Sequence, residues 1–179
     1  MYKIRFHGRG GQGIKLAAHI LARAAFLSGY QVQSFAVYGA ERRGAPVESF
    51  VRMDTKEILE RGYIFDPDFV VCVDDTLDME WVVGGLKSGG IVLINTGKYP
   101  GYFSRIKQKV YTVDATKVAL ETLGIAIPST AILGAFVKIF KKIPLENLRE
   151  AVKREFREEG KEEFIEKNLK AVETCYEVL

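Results

Sequence analysis

The chain has 179 residues, of which 47% are hydrophobic and 27% are charged, and its formal net charge is +3. This length and composition fit one globular domain with a sizeable core, and no run approaches the roughly 18 apolar residues that a membrane helix needs. The weak positive charge, without any nucleic-acid-binding motif, argues against a nucleic-acid partner.

The first half of the chain alternates strand and helix patterns. Tyr2–His7 predicts a first strand with no signal peptide ahead of it, so we expect a cytoplasmic protein. The alanine-rich run Ile14–Leu27 predicts a helix that ends at Gly29. Further strands are predicted at Gln31–Val37, Val47–Met53, Phe69–Val73, Ile91–Ile94 and Val110–Val113. This alternation favours an α/β fold with an open, mostly parallel sheet flanked by helices, in a single domain over residues 1–179.

The second half of the chain is predominantly helical from Asp114 onward. Ser129 or Thr130 is placed to cap a helix that runs to about Lys141. Two more helices follow, and each has an apolar face opposite a face rich in Lys and Glu. We interpret these charged faces as solvated surface.

The two cysteines do not form a metal-binding pattern. Cys72 lies in an apolar strand-like run, Cys175 lies near the end of an amphipathic segment, and there is no Cys-x-x-Cys. Two thiolates cannot supply the four ligands of a usual iron–sulfur or structural zinc site. His7 and His19 also lack the spacing of a metalloprotease motif. We therefore expect two core cysteines and no metal site.

The most informative stretch is the glycine-rich loop, which we define as Gly8-Arg9-Gly10-Gly11-Gln12-Gly13. It follows a predicted strand and opens a predicted helix, which is the context that a G-x-G-x-x-G match requires. Glycines let backbone amides approach phosphate oxygens, and the helix adds unpaired N–H groups and the positive end of its dipole. The loop is predicted to bind a pyrophosphate. The alternative is a tight turn without a ligand.

The features of an NAD site are incomplete. A carboxylate should follow the loop by about 20 residues, at the end of strand two, to bind the ribose hydroxyls. The strand at 31–37 has no acid, and the first carboxylate after the loop is Glu41. NADP remains a possible ligand, because arginines lie near the loop in the sequence. No catalytic acid or base is evident near the loop, which argues against a hydride-transfer enzyme.

A second loop, residues 38–46, joins strands two and three. Loops that leave the carboxyl ends of neighbouring parallel strands share one crevice, so we expect it to face the glycine-rich loop. Arg9, Arg42 and Arg43 would then converge on an anionic ligand, since guanidinium groups suit phosphate. The alternative is that these arginines bind a neighbouring subunit or pair with Glu41.

Three motifs together resemble the gamma subunits of 2-oxoacid:ferredoxin oxidoreductases, and the resemblance covers essentially the whole chain. They stand in the family's order, and they are Gly-Arg-Gly-Gly-Gln-Gly at 8–13, Tyr-Gly-Ala-Glu-Arg-Arg-Gly-Ala-Pro-Val at 38–47 and Ile-Pro-Ser-Thr-Ala-Ile-Leu-Gly-Ala-Phe at 127–136. The second motif is similar to the pyruvate/2-ketoisovalerate branch. Ser129 departs from the family, whose members usually have Asn there.

The resemblance implies a Rossmann-like subunit of a hetero-oligomer that converts pyruvate or a related 2-oxoacid to acyl-coenzyme A and reduces ferredoxin. Thiamine diphosphate and the [4Fe-4S] clusters would belong to partner subunits of the alpha, beta and delta types. This chain would help to hold coenzyme A through the glycine-rich loop, with Arg42 and Arg43 as further candidates. It would have no catalytic residue and no activity alone.

Two other hypotheses stay open, namely a purely architectural subunit of the same complex and an independent NADP-dependent reductase. An obligate subunit is expected to expose apolar surface. The candidates for that surface are Tyr38, Pro46, the Ile125–Phe136 region and the aromatic loop Tyr99–Phe103.

Overall fold

The computed structural model of the chain describes residues 1–37 and 44–179. They form one six-stranded sheet with the strand order β2-β3-β1-β4-β5-β6. The strands are β1 (Tyr2–Arg9), β2 (Gln31–Ala36), β3 (Pro46–Asp54), β4 (Phe69–Cys72), β5 (Ile91–Asn95) and β6 (Lys109–Val113). The helices are α1 (Ile14–Leu27), α2 (Met79–Val83), α3 (Ala115–Leu123), α4 (Ile132–Phe140), α5 (Leu145–Glu158) and α6 (Ile165–Glu177). Short 3-10 turns lie at Pro100–Phe103 and Glu162–Phe164.

The sheet is mixed. β1, β4, β5 and β6 pair in parallel, whereas β3 runs antiparallel to both β1 and β2. A parallel connection needs about a dozen residues or more, usually including a helix, and only residues 37–45 join β2 to β3. The chain therefore turns back on itself, and β3 lies between β2 and β1. The predicted α/β sheet with helices is confirmed, but the first two strands are not parallel neighbours as we expected.

The main hydrophobic core lies between one face of the sheet and the layer formed by α1 and α3 to α6. Ile4 and Phe6 of β1 are fully buried there against the alanine-rich face of α1. α4 is almost entirely buried, and Gly134 brings it so close to α6 that a Cβ would overlap the backbone carbonyl of Val172. Among the described residues, no helix has the length and apolarity to cross a membrane.

The opposite face of the sheet carries buried polar side chains. Arg5 and His7 of β1 and Arg52 of β3 all lie on it. The Arg5 guanidinium donates from Nε to His7 Nε2 at 2.8 Å and from its other nitrogens to carbonyl oxygens of the segments that cover this face. Burial, together with the charge of Arg5, lowers the pKa of His7 to about 3. His7 is therefore a neutral structural residue at physiological pH.

Candidate functional site

The glycine-rich loop leads from the carboxyl end of β1 into α1. Gly8 is buried within β1, where a Cβ would overlap the side chain of Ile14. Gly11 has a φ of 93° and Gly13 a φ of 75°, which is the left-handed region that residues with a side chain rarely adopt. The loop therefore requires glycine for packing at one position and for backbone conformation at two others.

The loop also extends the pairing of β1 with β3. The N–H of Gly10 donates to the carbonyl oxygen of Ala45 at 2.8 Å, and the N–H of Gly44 donates to the carbonyl oxygen of Gly10 at 3.1 Å. The two predicted loops are thus in contact at the residues that the structure describes. The loops meet because β1 and β3 pair in antiparallel fashion, not because they share a crevice between parallel strands. This pairing uses both the N–H and the carbonyl oxygen of Gly10.

The amino end of α1 has no side-chain cap. Gly13 occupies the N-cap position, and the first turn contains no acidic residue. The first helical bond runs from the N–H of Ala17 to the carbonyl oxygen of Gly13 at 2.9 Å, so the N–H groups of Ile14 and Leu16 have no acceptor within the helix. These N–H groups and the positive end of the helix dipole favour an anion at this position.

A cavity of about 220 Å³ lies beside this helix end. Its lining includes Gly11, Gly13 and Lys15 from the loop and α1, and Val47 and Glu48 from β3. Sites that enclose a whole drug-sized ligand usually measure roughly 300–1,000 Å³. The cavity is therefore large enough for only one part of such a ligand, of the size of a diphosphate group.

Arg9 is bonded within the chain. Its guanidinium donates to Asp74 Oδ2 at 3.2 Å, to the carbonyl oxygen of Gly44 at 3.2 Å and to Thr76 Oγ1 at 2.9 Å. Gln12 joins the same group, because its Oε1 accepts from the backbone N–H of Arg9 at 2.7 Å and its Nε2 donates to Asp74 Oδ2 at 2.9 Å. Arg9 and Gln12 therefore tie the loop to the segment that follows β4.

The electrostatics of Asp74 fit this role. Burial raises the pKa of Asp74, but hydrogen bonds from Thr76 and Gln12 and the charge of Arg9 outweigh burial and leave the pKa below its ordinary value. Asp74 is therefore a carboxylate that neutralises Arg9. Asp74 was not predicted from the sequence, although an aspartate directly after a buried parallel strand is a signal for such a site.

The other two predicted arginines, Arg42 and Arg43, lie outside the described residues, as does Glu41. Their predicted contact with an anion stays a prediction.

The 127–136 motif also reaches the glycine-rich loop. Ser129 Oγ lies where a Cβ on Gly13 would be, so that any side chain at residue 13 would overlap it. The turn ahead of α4 begins at Pro128, whose carbonyl oxygen accepts from the N–H of Ile132 at 3.0 Å. Ser129 lies inside that turn, and the N-cap residue is Ala131, without a side-chain bond. The predicted capping of this helix by Ser129 or Thr130 is therefore wrong.

Comparison with known proteins identifies the family. The model of the pyruvate ferredoxin/flavodoxin oxidoreductase family matches residues 3–178. The chain belongs to this family. The pyruvate/ketoisovalerate oxidoreductases common subunit gamma of Pyrococcus furiosus is 47% identical, over 99% of this chain and 96% of that protein. As the three motifs predicted, the chain is a gamma subunit of a pyruvate or related 2-oxoacid:ferredoxin oxidoreductase, and this replaces the independent NADP-dependent reductase.

Two solved structures show the same fold. The crystal structure of the pyruvate oxidoreductase subunit PORC from Thermotoga maritima matches with a TM-score of 0.85 and 36% identity, over 98% of this chain and 95% of that chain. The 2-oxoglutarate:ferredoxin oxidoreductase from Magnetococcus marinus, solved with 2-oxoglutarate, coenzyme A and succinyl-CoA bound, matches with a TM-score of 0.78 and 22% identity. That match covers 99% of this chain and 31% of that chain, so there the gamma-subunit fold is one part of a longer polypeptide.

A subunit of an oxidoreductase complex has surfaces that meet other subunits, and some predicted apolar surface is exposed. Tyr99 and Tyr102 are 72% and 60% exposed, and Ile125 is 51% exposed. The prediction was wrong for Phe103 and for residues 128–136, because all of them are buried. Tyr38 lies outside the described residues. Other exposed apolar residues were not predicted, because the irregular segment at 55–68 and the five-residue helix α2 show too little periodicity; they are Leu59, Tyr63, Phe65 and Trp81.

Proposed function

We propose that the glycine-rich loop of this gamma subunit forms part of the coenzyme A site of its complex. The observation that supports this most strongly is the uncapped amino end of α1 beside a cavity lined by Gly11 and Gly13. The diphosphate of coenzyme A is the anionic group that such a helix end would bind. The Magnetococcus marinus enzyme, which contains the same fold, was solved with coenzyme A bound.

In this proposal, Arg9 both holds the loop and contacts the ligand. Its three bonds to Asp74, Gly44 and Thr76 fix the guanidinium next to the cavity. A guanidinium has further N–H groups that these bonds do not use, and they can donate to a phosphate oxygen. Arg42 and Arg43 are kept as candidate ligands from the sequence.

The rest of the reaction belongs to partner subunits in this proposal. Thiamine diphosphate would decarboxylate the 2-oxoacid there, and [4Fe-4S] clusters would pass the electrons to ferredoxin. Cys72 and Cys175 fit poorly as cluster ligands, because they lie in core clusters on opposite faces of the sheet. Burial raises the pKa of each thiol to about 12, which disfavours the thiolate that a cluster needs.

The second candidate function is an architectural subunit that holds no ligand. The internal bonds of Arg9 favour it, since they account for this arginine without any anion. This hypothesis predicts that changes in the loop release the subunit from the complex and leave coenzyme A affinity intact in the complex that survives.

Substitution of Gly11 separates the two hypotheses. In the assembled complex, Gly11→Ala should raise the KM for coenzyme A by about tenfold or more and leave the KM for the 2-oxoacid unchanged. The added methyl group opposes the positive φ and the close approach of a phosphate. The matched control is Gly89→Ala, because residue 89 has ordinary φ and open space around it. An unchanged KM for coenzyme A in a fully assembled Gly11→Ala complex would support the architectural subunit.

A further inference from the structure

The amino ends of two helices meet at Gly13 and Ser129. α1 begins directly after Gly13, and the turn that leads into α4 contains Ser129. Neither helix has a side-chain cap, and neither has an acidic residue in its first turn. Because Ser129 Oγ lies against Gly13, these two positive helix ends are adjacent, and neither has a neutralising carboxylate in its own first turn.

The hydroxyl group of Ser129 is the unusual feature of this place. Ser129 is 1% exposed, and its Oγ has no hydrogen-bond partner among the described residues. An unpaired buried hydroxyl destabilises the folded chain, whereas alanine at the same position would not carry that cost. Only the missing side chain of Gly13 lets Oγ lie against the amino end of α1.

We propose that Ser129 Oγ is a ligand for a phosphate group bound between the amino ends of α1 and α4. The hydroxyl would donate to a phosphate oxygen, as would the N–H groups of Ile14 and Leu16. The proposal rests on the proposed function, because the phosphate would be one of those of coenzyme A. It adds a side-chain ligand from the third motif to a site so far built from the glycine-rich loop.

The proposal can be tested by comparing Ser129, which lies against the amino end of α1, with Ser28, which follows its carboxyl end. Ser28, at the carboxyl end, donates to the carbonyl oxygen of Ala24 at 2.8 Å and accepts from Asn147 Nδ2 at 2.9 Å. In the assembled complex, Ser129→Ala should weaken coenzyme A binding by roughly 10- to 100-fold, which is the effect of one hydrogen bond to a charged group. Its thermal midpoint should not fall. Ser28→Ala should lower the thermal unfolding midpoint, because two hydrogen bonds are lost, and should leave the affinity for coenzyme A at the wild-type value.

The Kd values are measured by calorimetry, with three probes that identify the phosphate. Equal weakening of coenzyme A and dephospho-coenzyme A by Ser129→Ala would place the contact at the diphosphate. Weakening of coenzyme A alone would place it at the 3′-phosphate. Equal weakening of pantetheine, which has no phosphate, would overturn the proposal, as would wild-type affinity for coenzyme A.

Two further variants complete the test. Ser129→Cys keeps the side-chain shape but replaces the hydroxyl with a weak donor, so it should also weaken coenzyme A binding even if the alanine variant fails to assemble. Wild-type affinity in Ser129→Cys would overturn the proposal. If Gly11→Ala weakens coenzyme A binding while both Ser129 variants do not, the Ser129 proposal fails and the proposed function stands. If Gly11→Ala also has no effect, the proposed function fails as well.

Discussion

Two regions of the molecule depend on glycine for different reasons. Between α4 and α6, Gly134 removes a side chain so that two helix backbones can touch. In the glycine-rich loop, Gly11 and Gly13 adopt left-handed φ values and leave a cavity beside an uncapped helix end. The first region is filled by protein atoms, and the second presents backbone donors and a buried hydroxyl that the described chain does not pair.

Under the proposed function, stability and ligand binding depend on separate parts of the chain. Substitutions in the helical layer should change stability and leave affinity for coenzyme A unchanged. Substitutions at Arg9 and Gly11 should change affinity and have smaller effects on stability.

Gly134→Ala should have the largest effect. The new Cβ would overlap the backbone of Val172, and backbone atoms cannot move aside as a flexible side chain can. Overpacking typically costs roughly 1–3 kcal/mol, and the backbone neighbour places Gly134→Ala at the upper end of that range or above it. Thermal unfolding of the complex and retention of the gamma subunit measure the effect, with Gly89→Ala as the neutral control. A Gly134→Ala subunit of wild-type stability would contradict the close contact.

Arg9→Gln should weaken coenzyme A binding by about 1.5–3 kcal/mol, which is a rise in Kd of roughly 10- to 100-fold. The loss should shrink at high salt, and Arg9→Lys should restore binding only in part, because a point charge replaces a planar fork. Arg154→Gln is the charge control, since Arg154 pairs with Glu150 on the surface of α5. Subunit release with intact affinity for coenzyme A would show that Arg9 serves only the bonds to Asp74 and Thr76.

Lowering the pH should decrease the stability of the folded chain, because His7 is buried in its neutral form. In the folded chain His7 stays neutral because its pKa is lowered to about 3, whereas in the unfolded chain it takes up a proton near 6.5. The unfolded state binds more protons between these values, so stability falls as the pH falls from about 6.5 towards 3. The contribution of His7 between pH 6.5 and pH 5 should be about 1.5–2 kcal/mol.

His7→Gln removes this titration, and glutamine can still accept the hydrogen bond from Arg5. Burial raises the pKa of Glu48, which works in the opposite direction, but Glu48 is present in both proteins and its contribution largely cancels in the comparison. Unfolding midpoints measured from pH 7 to pH 5 should therefore fall less in His7→Gln than in the wild type. Parallel pH profiles would show that His7 does not remain neutral in the folded chain.

The sequence predicted elements better than their arrangement. The run Ile14–Leu27 matches α1 because alanine-rich periodicity and a terminating glycine act locally. The antiparallel β3 was not predicted, although the short stretch at 37–45 leaves no room for a crossover helix. α2 was also missed, because a helix of five residues carries too little periodicity to be recognised.

The candidate site shows the same limit. The glycine-rich loop is recognisable because φ constraints and phosphate access act on consecutive residues. The partners of Arg9 were not predicted, because Asp74 and Thr76 lie more than sixty positions away and only the sheet brings them together. Ser129 was predicted to cap a helix, because its contact with Gly13 depends on how the turn before α4 packs against α1 and is not visible in the local sequence.

The most direct test of the proposed function is a structure of the assembled complex with coenzyme A bound. The quantity to measure is the distance from the phosphate oxygens to the backbone nitrogens of Gly11, Ile14 and Leu16. We expect at least one such distance in the hydrogen-bonding range of about 2.7–3.2 Å. Coenzyme A with all of its phosphates held by other subunits, and an empty cavity beside α1, would contradict it.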